Sequence, residues 1–214
     1  MINGKDLLAI AEGEIGYREG KNKDNKYGRW YGLNHDYWCM EFVQWCYAQA
    51  GLPLPLKTAS CGGLLGWYKR NQPECITKDP IPGAIVIFDW PRTKSETDHT
   101  GLFVSKTKAK ITSIDGNTSN GSDSNGGYVM RRTRDLSYAN PIYIVPRGLI
   151  FEEDEEVKRY NTIAEIKSDA PWAVATIEKL NEKKILQGND SGFDLSMDMI
   201  RLLVMQDRAG VFGA

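Results

Sequence analysis

The chain has 214 residues, 41% of them hydrophobic and 26% charged, with a formal net charge of −1. That balance belongs to a folded soluble protein with room for one medium core and a smaller one; it excludes a disordered chain and gives no electrostatic reason to bind nucleic acid. The two parts differ in sign, residues 1–150 carrying 19 Lys and Arg against 15 Asp and Glu and the remainder 8 against 13, so a domain boundary is expected near residue 150.

In chain order, Asn3 to about Gly16 reads as a capped packing helix with Leu7, Leu8, Ala11 and Ile15 on one side. Charged residues from Lys5 to Glu19 interrupt this stretch, so neither a secretory signal peptide nor a membrane-spanning helix is expected. Glu19 to His35 is polar and rich in Gly and Asn, with Tyr27, Trp30 and Tyr31 interleaved, and reads as an aromatic loop walling a binding groove. Phe42, Val43, Trp45, Cys46 and Ala50 then fit the apolar face of one helix, stopped by Gly51 and the Leu52-Pro53-Leu54-Pro55 run. Its start is expected at Asn34 or Asp36, which places Cys39 in the first turn. A second helix is expected from Lys57 to Lys69, with Cys61 as a buried packing residue.

From Ile81 the period changes. Ile81–Phe88 reads as a turn followed by an apolar strand, and further strands are expected at Gly101–Ser105, Ala109–Ile114, Tyr128–Arg132 and Pro141–Val145, with a polar hairpin over 91–98 and a Gly/Ser/Asn loop over 117–127. Helices first and strands afterwards indicate an α+β fold with an antiparallel sheet. An acidic linker follows, and then two helices, Ala170–Lys184 and Asp198–Ala209, around a Gly-containing turn.

Chemistry is expected at the thiol. The four cysteines, Cys39, Cys46, Cys61 and Cys75, form no Cys-x-x-Cys pair, and the only histidines are His35 and His99, so the spacings do not suit a structural zinc site. Unpaired N–H groups at a helix start stabilise a thiolate, which is the nucleophilic form of cysteine. His99, at a strand start, is a candidate base for that thiol. Asp115 and Asn117 stand at the end of the next strand with a spacing of two, which aims both the same way in extended backbone; either could orient the imidazole.

Trp38-Cys39 with Phe42-Val43 and Trp45-Cys46, then Pro82-Gly83 and its strand, then Asp98-His99-Thr100-Gly101 and Ile114-Asp115-Gly116-Asn117-Thr118, resembles the CHAP family over roughly residues 5–147. These are cysteine- and histidine-dependent amidohydrolases and peptidases with a papain-like core. The resemblance implies cleavage of a peptidoglycan amide, within the stem or cross-bridge peptide or at the muramoyl–alanine link. Cys39 would be the nucleophile and His99 the base, with Asp115 or Asn117 behind the ring, and Tyr27, Trp30, Tyr31 and Trp38 would contact substrate. No cofactor is expected, with calcium left as an alternative: some relatives bind it before the nucleophile, where this chain offers Asp24, Asn25, Asn34 and Asp36, sparse and spread for a site of six or more oxygen ligands.

The tail, with Trp172-Ala173, Ile185-Leu186-Gln187-Gly188, Gly192-Phe193-Asp194-Leu195 and Met199-Ile200-Arg201, looks like one S-layer-homology-type repeat. It implies binding of a secondary cell-wall polymer, through residues such as Trp172, Phe193 and Arg201, or self-association into a multivalent unit. The expected organisation is a catalytic domain at 1–148, an acidic linker at 149–158 and a small helical domain at 159–214. The expectation is an endolysin of phage or prophage type, made in the host cytoplasm and released through a membrane pore. A non-catalytic wall-binding protein and a papain-like acyltransferase or deamidase are the alternatives.

Overall fold

A computed structural model describes residues 1–91, 93–94, 97–152 and 158–213. Parts of the expected polar hairpin (Arg92, Ser95, Glu96) and most of the expected linker (153–157) lie outside the described residues. Two compact units emerge, Met1–Glu152 and Glu153–Ala214.

In the first unit, β1 (Ile2–Asn3) leads into α1 (Gly4–Glu12), whose N-terminus is capped by the Asn3 side chain accepting from the Lys5 N–H. The helix stops before Ile15, which is 42% exposed rather than packed. The expected aromatic loop contains a short helix, α2 (Lys26–Tyr31), because the buried Asn25 caps it through the Gly28 N–H and Gly32 closes it in the left-handed region at φ 96°. Next come α3 (Cys39–Gln49) and α4 (Cys61–Asn71), the latter capped by Ser60 through the Gly63 N–H.

The remaining elements are mostly strands: β2 (Ile76–Thr77), β3 (Ile85–Phe88), β4 (His99–Lys106), β5 (Lys110–Thr118), β6 (Tyr128–Asp135), a turn of helix α5 (Leu136–Ala139), β7 (Ile142–Ile144) and β8 (Leu149–Ile150). Six of them make an antiparallel sheet in the order β2-β7-β3-β4-β5-β6. The unbroken apolar run Ile85-Val86-Ile87-Phe88 is buried along its whole length, as a strand covered on both sides must be. The fold is thus the expected mixed α/β one with helices leading into an antiparallel sheet. The expected linker begins too early, however: Leu149–Ile150 pairs in parallel with Ile2–Asn3 and belongs to the first unit.

Helix α3 is buried nearly all round, at eight of its eleven residues, instead of along the single face its apolar residues suggest. It joins one core with α1 and the sheet, in which Leu7, Phe42, Val43, Cys46, Ile85, Ile87, Leu102 and Ile114 are buried.

The second unit has its own core of Tyr160, Ile166, Ile177, Leu195, Ile200 and Val204. A two-stranded ladder, β9 (Arg159–Tyr160) with β10 (Leu195–Ser196), accompanies α6 (Ile163–Asp169), α7 (Val174–Glu182) and α8 (Met197–Arg208). Helix α6 goes beyond the two helices expected, and a capping box between Thr162 and Glu165 starts it.

Candidate active site

The first turn of α3 carries no side-chain cap. Trp38 occupies the cap position without a capping bond, so neither Asn34 nor Asp36 starts the helix as expected. The free N–H groups of that turn are left for Cys39, whose sulfur accepts from the Met40 backbone N–H. Cys39 is 7% exposed.

Strand β4 brings His99 to the same place. The fully buried His99 imidazole donates from Nε2 to Asp115 Oδ2 at 3.1 Å. The carboxylate also accepts from Ser113 Oγ at 2.6 Å and takes the Arg134 guanidinium at 2.8 Å on the oxygen that serves His99. An ionised acceptor on Nε2 fixes the tautomer and leaves Nδ1 as the nitrogen available to the thiol. Nδ1 has no closed hydrogen bond among the described residues, yet the thiol is near enough to interact with the ring. Behind the ring, Phe88 and Trp90 stack at centroid distances of 5.9 and 6.3 Å.

Two glycines permit this convergence. A Cβ at Gly116 would come 2.5 Å from Phe42 Cβ and 2.8 Å from the Trp38 ring, so β5 passes α3 only because residue 116 has no side chain. Gly101 likewise leaves room for the Asp115 carboxylate. The glycines of the Asp-His-Thr-Gly and Asp-Gly-Asn runs are therefore spatial requirements.

Asn117 does not join the imidazole. Its backbone turns into the left-handed region at φ 56°, beside an irregularity in the β5–β6 pairing, so the spacing of two does not hold it on the face of Asp115. Its Oδ1 instead accepts from the Gly127 N–H and its Nδ2 donates to the Ser124 carbonyl, organising the loop before β6. His35 lies elsewhere, with Nδ1 on the Asn22 carbonyl.

The electrostatics favour an ion pair. A hydrogen bond from Cys61, first, and then His99 hold the Cys39 thiol well below its ordinary range in spite of burial. Burial pulls the His99 imidazole down, but Asp115 and Cys39 outweigh it and raise it to about 9. Asp115 is buried, which pushes its carboxyl up; Arg134 and then His99 more than reverse that. These shifts favour alternating charge along Cys39, His99, Asp115 and Arg134, an arrangement suited to attack on a carbonyl carbon and protonation of a leaving amine.

The family resemblance implies four substrate contacts. Two of them, Tyr27 and Trp38, are fully buried and stack on each other at 5.1 Å, Tyr27 bonding Glu14 and Trp38 bonding Glu19. They are core, because amphipathic rings with a polar tip are easily housed there. Trp30 is 44% exposed and lines a cavity of about 350 Å³ with Gln44, Ala48, Leu54 and Lys57. The half-buried Tyr31 ring has the Lys57 ammonium over it at 4.8 Å.

In the second unit Trp172 is 46% exposed, Arg201 is exposed and paired with Asp198 at 3.0 Å, and Phe193 is packed against the core. As for calcium, Asp24 Oδ1 already takes Arg29 and Asn34, while Asn25 Oδ1 caps α2. A carboxylate neutralised by a guanidinium and an amide spent on a helix cap do not fit an ion that needs six or more free oxygens. Among the described residues no group of three or more His, Cys, Asp or Glu is placed to hold a metal.

Sequence reasoning missed Arg134, which lies past the expected end of its strand at Arg132, and gave Cys61 only a packing role. Residues 30–117 match the CHAP domain. The CHAP match takes in Cys39, His99 and Asp115 and ends before Arg134. The solved structures similar to the chain include these two. One is the wild-type endolysin LysIME-EF1, at 16% identity and a TM-score of 0.45, covering 69% of this chain and 66% of that one. The other is Ly7917, at 13% and 0.40, covering 67% and 62%. The chain thus spans slightly under two thirds of the length of each. No curated protein matches it.

Proposed function

We propose that the chain is a peptidoglycan hydrolase of endolysin type, cleaving an amide bond of the bacterial cell wall by thiol catalysis. The observation that carries this reading is the His99 imidazole bonded at 3.1 Å to a buried carboxylate, with a helix-start thiol close enough to interact with the same ring inside the CHAP match.

The Cys39 thiolate adds to the amide carbonyl carbon, and the oxyanion so formed is stabilised by N–H groups at the start of α3. The His99 imidazolium gives its Nδ1 proton to the leaving nitrogen, the C–N bond breaks, and a thioester to Cys39 remains. Water then attacks the thioester as Nδ1 takes its proton, releasing a carboxylate and restoring the thiolate. Asp115 stays ionised and keeps the ring aimed.

The bond is a stem-peptide or cross-bridge amide, or the muramoyl–alanine link. Cys39→Ala should abolish release of new amines from purified peptidoglycan, and mass spectrometry of the wild-type digest reads which terminus appears. Undiminished release by Cys39→Ala would sink the reading.

The second unit, with exposed Trp172 and Arg201, is proposed as the wall-binding part, acting alone or after self-association, with a secondary wall polymer as ligand. Its own core makes it a fair object by itself: residues 158–214 should sediment with susceptible cell walls. Recovery in the supernatant would remove it from that role. No described helix is long and apolar enough to cross a membrane.

A further inference from the structure

Beneath Asp115 the structure holds a cation that the thiol mechanism above does not mention. Arg134 is reached by β6, its side chain is 4% exposed, and its Nη1 lies 2.8 Å from Asp115 Oδ2. The outer edge of the guanidinium is tied to Asp123 through Nε at 2.9 Å. Its face covers Phe88 at 4.9 Å and Trp90 at 5.3 Å, the two rings stacked behind His99. Asp123 is itself held by Arg132 and by the Tyr138 hydroxyl. The guanidinium is therefore fixed at its edge, on its face and at its tip.

We propose that Arg134 is a positioning residue of the thiol site: it keeps the Asp115 carboxylate ionised and aimed at His99, and its charge completes a neutral buried row with Cys39, His99 and Asp115. The inference rests on the thiol reading of the site. Its physical ground is charge balance. Thiolate, imidazolium and carboxylate together carry one net negative charge away from water, and an unbalanced buried charge is relieved most cheaply by taking up a proton. With Arg134 present the row sums to zero. Without it, protonation of the sulfur or the carboxylate restores neutrality, and either event dissolves the thiolate–imidazolium pair. Ser113 cannot substitute, because a hydroxyl offers Asp115 a hydrogen bond but no charge.

The test is the pH dependence of Cys39 alkylation by iodoacetamide in the full chain, followed by mass spectrometry of the Cys39 peptide, with peptidoglycan cleavage measured in parallel. Two neutral replacements are used, Arg134→Met, which fills the space over Phe88, and Arg134→Gln, which keeps a donor to Asp115. In both the midpoint should rise by about one pH unit or more, a tenfold loss of thiolate below it. Cleavage should fall by the same factor there and recover as the pH is raised. Arg134→Lys, which keeps the charge, should bring the midpoint most of the way back. An unchanged midpoint in whichever neutral variant folds overturns the proposal. A low midpoint in the wild type without any cleavage of peptidoglycan would instead sink the substrate assignment and leave Arg134 in its role.

Discussion

Gly101 lies directly against the carboxylate of Asp115: a Cβ built at residue 101 would come 2.2 Å from Asp115 Oδ1 and 2.9 Å from the Ile114 carbonyl. The site therefore depends on the absence of a side chain on the strand that also carries His99. Gly101→Ala should push Asp115 off the imidazole, because backbone and a buried carboxylate cannot both give way. Displacements of this size cost about 10²-fold in rate. Cleavage lost to that extent in a variant that still unfolds cooperatively is the expected result; near wild-type turnover would show that Asp115 is not needed where it stands.

Activity should occupy a pH window set by the ion pair. As pH falls through the lowered Cys39 value the thiolate is lost, and as pH rises past about 9 the imidazolium is lost. The stability contribution of His99 carries the matching sign: a raised folded value means stabilisation that is full below the unfolded value near 6.5 and gone above about 9. Cleavage rates from pH 5 to 10, alongside thermal melts, read both. A rate still climbing beyond pH 10 would contradict the ion pair.

Cys61 sits at the first position of α4 and hydrogen-bonds the Cys39 sulfur; that contact, ahead of burial, holds its own thiol well above the ordinary range. It is thus the donor and Cys39 the acceptor. Cys61→Ala removes the donor with little change in volume and should slow Cys39 alkylation several-fold near neutral pH by raising the thiol value. Cys61→Ser, with a stronger donor, should restore much of it. Equal rates in all three proteins would dismiss the contact.

Glu41 is buried in the first turn of α3 with neither carboxyl oxygen partnered. Burial, then the Cys39 and Asp36 charges, raise it from an ordinary 4.5 to about 8. The unfolded chain releases this proton first, so the wild type should lose stability between pH 4.5 and 8 at up to about 1.4 kcal/mol per pH unit from this group. Glu41→Gln removes the loss. Denaturant titrations at pH 5 and 8 should show the variant gaining on the wild type at the higher pH; parallel curves would show that Glu41 ionises freely.

The buried stack separates two tyrosine and tryptophan roles that look alike in the chain. Tyr27→Ala should cost about 3–5 kcal/mol, the scale of an emptied aromatic site, while Trp30→Ala, at a residue 44% exposed, should stay within about 0.5 kcal/mol of wild type. Urea midpoints distinguish them.

Local pattern determined much of this protein. The apolar run over Ile85–Phe88, the Gly51 and Pro stop after α3, and the change from helical to strand period were all legible, because hydrophobic periodicity and chain breakers act within a few residues. So were Cys39, His99 and Asp115 as candidates, through the motifs around them. Only the tertiary structure decided between Asp115 and Asn117 as the partner of His99, since a left-handed turn at Asn117 cancels the alternation that spacing implies. It alone buried Tyr27 and Trp38, and it alone set Arg134 beneath Asp115 and Cys61 beside Cys39. Those relations join residues far apart in the chain, and a side chain's charge state is fixed by what surrounds it in space, which no local pattern records.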